Sequence, residues 1–249
     1  MNTRTRPLWA HLQNEARLLS RESAALIFGV VIPVVAMLVM AALPAARTPT
    51  SAMGGRSVVA AYTPVLVLFA GSVLGLTVIP TILGNYRQWG VLRRLATTPS
   101  TPGALLTALF VLVLLIATAV ELLLVLIPAL AGAGWPPAPG WFALGAGLST
   151  VTFVALGAWL AALVPSAKAA AGIGNVLAVL VWGAAGMWFP RAQFAPWLRL
   201  ATELTPGGAA AETMQLTGGP QASVVRPLLI LLVWTAIACW AATRSFKVE

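Results

Sequence analysis

Long apolar runs alternate with short polar breaks along this chain. The runs cover about residues 23–43, 57–84, 104–131, 141–164, 169–189 and 227–243. Each is near or above the roughly 20 residues an α-helix needs to cross a hydrocarbon core of about 30 Å, the last being the shortest. The pattern predicts an all-α polytopic membrane protein, one transmembrane domain over 1–249 with six transmembrane helices. The second and third runs have length to spare for tilt or protrusion.

Three polar stretches carry a pattern of their own. In residues 1–22, Leu8, Leu12, Ala16 and Leu19 recur on one helical face, with Arg17 and Arg21 opposite and Trp9 at the rim. This predicts an interfacial helix on the membrane surface; a signal peptide is the competing reading, but the polar lead is too long for one. Tyr86 to Pro102 reads YRQWGVLRRLATTPSTP, a basic island between two apolar runs. As a helix over 86–97 it puts Trp89, Leu92, Leu95 and Ala96 on one side, and Arg87, Val91 and Arg94 on another with Arg93 near them. Pro99 ends it, and Thr101 with Pro102 opens the next helix. It is either a coupling helix through which a partner drives the membrane part, or a basic loop that only fixes topology. The third stretch, 190–220, is too polar to span, yet Phe194, Trp197, Leu198, Leu200 and Leu204 follow a helical spacing broken by Pro196, Pro206, Gly207 and Gly208. It predicts two short helices forming a re-entrant hairpin in the outer leaflet, against the alternative of an ordinary interfacial loop.

Composition narrows the class. The chain of 249 residues is 59% apolar and 8% charged, with mean hydropathy +0.91, where soluble domains carry about 25% charged residues. The net charge of +9 does not imply nucleic acid, because the basic residues sit at the ends of apolar runs, where lipid headgroups and topology account for them. With the N-terminus inside, the inner segments hold Arg4, Arg6, Arg17, Arg21, Arg87, Arg93, Arg94, Lys168, Arg244 and Lys247; the outer ones hold Arg47, Arg56, Arg191, Arg199 and Arg226. Ten against five puts both termini in the cytoplasm of a multi-pass protein in the plasma or inner membrane.

Little in the chain suits covalent chemistry. Cys239 is the single cysteine, His11 the single histidine, and aspartate is absent. No catalytic residue or metal site is expected. No GxxxxGK[ST] loop occurs, so the chain holds no ATP by that device. Gly172-Ile-Gly174 resembles a nucleotide fingerprint only superficially and reads as a packing site. Glu121 is the one carboxylate in an apolar run. About 28 Å along its helix at 1.5 Å per residue, it sits near the outer boundary, either functional or interfacial and structural. Gly71 and Gly75 suit tight helix packing or a dimer interface. Asn175, Thr77, Ser149, Thr150 and Thr152 either line a polar path or bond between helices, and Trp135, Trp141, Trp182, Trp188 and Trp197 suggest an aromatic belt.

The order of parts resembles the membrane (permease) subunit of a type-2 ABC transporter, in the branch of antibiotic and multidrug exporters. Three stretches carry the resemblance. Arg87, Gly90, Leu92, Arg94, Leu95, Thr98 and Pro99 resemble the loop after the second helix; Gly186 to Pro190 (GMWFP) follows the fifth; and in Trp197 to Glu212, Pro206 matches the proline after the outer hairpin. The family often has an acidic residue just before the loop glycine, where Gln88 and Trp89 stand here. The resemblance implies a homodimer, or a pair with a similar permease, on two separate cytoplasmic ATP-binding subunits that hold ATP and Mg. Tyr86, Arg87, Gln88, Trp89, Arg93 and Arg94 would couple to those subunits. Trp188, Phe189, Pro190 and Pro206 would form the outer hairpin or gate. An amphiphilic or hydrophobic substrate (a drug, antibiotic or lipid) would be exported. An ion-gradient-driven transporter or channel is the alternative, but it would more often carry several intramembrane acids than Glu121 alone.

Overall fold

A computed structural model describes residues 12–13, 15–19, 26–91, 94, 102–215 and 225–245. Among the described residues, five helices are long and apolar enough to cross a membrane: α2 (Val58–Gln88), α3 (Gly103–Leu130), α4 (Pro139–Leu163), α5 (Ala167–Ala185) and α8 (Val225–Ser245). The first apolar run gives a shorter helix, α1 (Ile27–Ala42). Residues 20–25, just before it, lie outside the described set, as do most of the expected interfacial helix, Arg93, Pro99, Thr101 and residues 216–224. Between α5 and α8 stand α6 (Pro196–Glu203) and α7 (Pro206–Met214). A feature the helical pattern did not predict is a small antiparallel pair, β1 (Pro49–Thr50) with β2 (Arg56–Ser57). Gly54 and Gly55, at φ of 65° and 80°, supply the left-handed residues that let the chain turn back there.

Burial ranks the helices. In α2, 83% of the most apolar window is buried, against 22% in α8, so α2 is the central post and α8 a peripheral one. Residues 73–78 of α2 widen into a π-helical stretch, and Pro80 follows two residues later. Pro80 has no N–H to give the Leu76 carbonyl, and the wider turn absorbs that break. The same pairing recurs in α1, with a π-stretch at Ile27–Val31 and Pro33 after it. The two stretches touch, Gly29 lying against the Leu74 side chain.

Three helices meet at the wide turn of α2. A Cβ on Gly157 of α4 would run into the Gly75 carbonyl, and one on Gly174 of α5 into the Leu76 carbonyl that Pro80 leaves open. Thr77 Oγ1 donates to Asn175 Oδ1 at 2.9 Å beside this crossing. Small residues thus replace side-chain interdigitation by backbone contact, which lipid-exposed bundles favour.

Candidate functional site

At the end of α2, the helix does not continue into a single amphipathic segment over 86–97 as the pattern predicted. It stops at Gln88. Gly90 takes φ of 65°, its N–H bonds the Arg87 carbonyl, and a new turn begins as Arg94 N–H bonds the Gly90 carbonyl. A left-handed glycine is a helix stop. Leu92, Leu95 and Ala96 lie outside the described residues.

Two of the expected coupling residues make hydrogen bonds within the chain, Tyr86 buried and Arg87 exposed. Tyr86 is buried, and its hydroxyl donates to Glu15 Oε2 at 2.5 Å, tying α2 to the N-terminal helical residues. Glu15 and Leu19 are themselves buried, so that face of the N-terminal segment packs against protein, while Ala16, Arg17 and Leu18 between them stay exposed. Arg87 Nη1 donates to the Ala161 carbonyl at 2.7 Å and the Ala162 carbonyl at 3.4 Å, closing the C-terminal end of α4. A cation there meets carbonyls without intrahelical partners and the negative end of the helix dipole. Gln88, Trp89 and Arg94 remain exposed, Trp89 at 63%.

The hairpin end is organised by arginines used in the same way. Arg47 Nη1 donates to the Ala131 carbonyl just past α3, Arg191 Nη1 to Ala184 near the end of α5, and Arg56 to Gln215 past α7. Arg191 also holds Glu212 at 3.0 Å, Arg199 holds Glu212 at 2.9 Å and Glu203 at 3.2 Å, and Arg226 lies 3.4 Å from Glu203. Burial lowers the Arg191 guanidinium from its ordinary pKa against the pull of Glu212, whereas Glu212 raises Arg199. The ladder ties α6 to α7 and α7 to the end of α5.

The two short helices behave differently. α6 buries none of its residues and exposes Trp197 and Leu200, whereas α7 buries seven of nine, Gly207 to Ala211 with Thr213 and Met214. Thr205 caps α7 by accepting from Gly208 N–H, with Pro206 in its first turn. Trp234 Nε1 donates to the Leu204 carbonyl at 2.9 Å, so the α6–α7 turn lies beside the middle of α8, about 14 Å in from its start. Trp188 and Phe189 are exposed, and Pro190 leads into the short turn Arg191–Gln193.

Other residues singled out by the sequence have definite partners. Glu121 lies nine residues before the end of α3 at Leu130. It is buried and accepts a hydrogen bond of 2.6 Å from Thr150 Oγ1. Gly71 and Gly75 face α4 within the same chain, Gly71 against Thr150 and Gly75 against Phe153, which is the tight-packing alternative of the sequence reading. Trp182 belongs to no boundary belt, since it stacks on Phe69 at 4.6 Å and donates Nε1 to Ser72 Oγ at 2.8 Å. Thr152 and Thr235 bond to each other between α4 and α8. Among the described residues, no group of three or more His, Cys, Asp or Glu could hold a metal ion.

A spanning helical bundle, a broken basic turn after its central helix and a buried hairpin helix before its last crossing form one arrangement. A family model described as ABC-2 type transporter matches residues 6–217. The chain belongs to the ABC-2 type transporter family. No curated protein matches it. The match takes in α1 to α7 and ends before α8. As an ABC-2 type protein the chain is a membrane-embedded permease subunit of an ABC transporter, of a family that works with ATP-binding subunits. The end of α2 and the α6–α7 hairpin are its two candidate functional regions.

Proposed function

We propose that this permease exports a hydrophobic or amphiphilic substrate of the antibiotic and multidrug kind, as one half of a homodimer driven by two separate ATP-binding subunits. The surface at the end of α2 carries this reading. Gln88, Trp89 and Arg94 stand exposed there around a glycine break, on a helix otherwise packed on nearly every side. An exposed tryptophan flanked by a cation suits a protein groove better than bulk water. Tyr86 and Arg87 act from behind, holding this surface to the N-terminal segment and to α4. A push on Trp89 therefore reaches α4 directly. Arg93 falls in the same loop and is assigned to the same contact.

The orientation follows from the excess of arginine and lysine on the side of both termini. That puts the end of α2 in the cytoplasm and the hairpin in the outer leaflet of the cell membrane. There α7 is a covered re-entrant piece, and Trp188, Phe189, Pro190 and Pro206 frame the outer gate. Glu121 is assigned to holding α3 on α4 rather than to carrying a proton. ATP and Mg stay on the partner subunits.

Co-purification with the ATP-binding subunit tests the coupling face. Trp89→Asp is expected to cut association by about tenfold, with the permease eluting unchanged in gel filtration. Arg87→Glu is expected to weaken association and also to lower the melting temperature, because it sets a carboxylate against two carbonyls. Wild-type association of Trp89→Asp overturns the assignment. Reconstitution with the partner, and a screen for compounds that stimulate ATP hydrolysis, reads the substrate class.

A further inference from the structure

A cavity of about 260 Å³ opens at the hairpin end between the β1–β2 turn, the start of α2, the end of α3 and the loop into α4. Arg47 and Arg56 line it together with apolar Val125, Trp135, Phe142 and Met214, and among the described residues no acidic one does. Each arginine spends part of its guanidinium on a helix-end carbonyl, Arg47 on Ala131 and Arg56 on Gln215. A guanidinium has five N–H donors, so most remain to be satisfied. Arg47 Nε is shielded from solvent and has no hydrogen-bond partner. The carboxylate whose field reaches Arg56 is Glu212, and it is already held by Arg191 and Arg199. Two partly desolvated cations over an apolar lining lack an anion that brings its own hydrocarbon.

We propose that this cavity binds an anionic amphiphile, its phosphate or carboxylate between Arg47 and Arg56 and its apolar part against Trp135 and Phe142. The anion satisfies guanidinium donors that helix capping leaves over, and the tail displaces water from the apolar lining. A phosphate monoester of a short alkyl chain has both features. The same chemistry occurs in an anionic lipid headgroup and in a transported amphiphile, so the test separates these sources.

The full chain in phosphatidylcholine nanodiscs is titrated calorimetrically with hexyl phosphate, with hexanol and inorganic phosphate as controls. Hexyl phosphate is expected to saturate at one site per chain and to bind at least about tenfold tighter than either control. The double variant R47Q/R56Q is expected to lose at least about tenfold in affinity. Because those arginines also cap helices, Ala60→Phe is the second variant. Ala60 lines the cavity and is exposed, so the added ring occupies the space with both cations intact, and binding is expected to fall as far. Equal binding of hexanol or of inorganic phosphate overturns the proposal, and so does unchanged affinity in Ala60→Phe. Loss of hexyl phosphate binding when phosphatidylglycerol is doped into the nanodisc supports the site and assigns it to lipid; retained binding supports it and assigns it to a transported amphiphile. No ATP-binding subunit is present, so failure here leaves the coupling assignment standing.

Discussion

Gly157 and Gly174 each face a backbone carbonyl of α2, and neither has room for a methyl group. Gly172, two residues before Gly174 on the same helix, has nothing within 4 Å of an added Cβ. The contrast makes a paired prediction. Gly157→Val should destabilise the bundle by about 3 kcal/mol, since the neighbour is backbone and cannot rotate away. Gly172→Ala should be neutral or stabilise by about 0.5 kcal/mol through helix propensity. Thermal melts followed by gel filtration in detergent check both, and equal melting temperatures for the two variants would sink the packing account. Arg87 shows the same dependence on backbone. It stays exposed, yet its guanidinium is spent on the Ala161 carbonyl.

Among the elements, α7 is tied to its surroundings by charge pairs at Glu212. Glu212 faces Arg191, whose side chain is 4% exposed, and Arg199, half exposed. Glu203 pairs with two exposed cations, Arg199 and Arg226. Removing the first carboxylate strands a buried guanidinium, whereas removing the second loses solvent-screened pairs. Glu212→Gln should therefore cost about 3 kcal/mol and expose 196–215 to protease, while Glu203→Gln should cost less than about 1 kcal/mol. Comparable digestion patterns for the two would contradict the ladder. The apolar runs behind α2 to α5 and α8 were plain in the sequence because crossing hydrocarbon demands length and apolarity together. The burial of α7 was not, because PGGAAAETM has no hydrophobic stripe and packs by letting backbones approach. The arginine caps were equally hidden, since their acceptors are main-chain carbonyls that leave no mark in a residue pattern.

For the whole molecule, the position of each end relative to the membrane sets every functional assignment. Replacing Cys239 by serine gives a chain without thiols, into which single cysteines at Gly90 and Gly134 can be placed, two positions with nothing within 4 Å of an added Cβ. Both glycines have positive φ, so the variants carry a local strain of about 1 kcal/mol, and folding is checked first. An impermeant maleimide should label Gly134→Cys in intact cells and Gly90→Cys only after lysis. The reverse pattern would invert the proposed direction of coupling. The crossing of α2, α4 and α5 at Gly75, Gly157 and Gly174 bears on the route itself. Where three main chains lie against one another, not even a methyl group fits, still less a drug or a lipid. No passage runs between those three helices at that level, so on the export reading proposed above a substrate would pass along the bundle's flank, over surface that the second copy of the proposed dimer or the bilayer would complete.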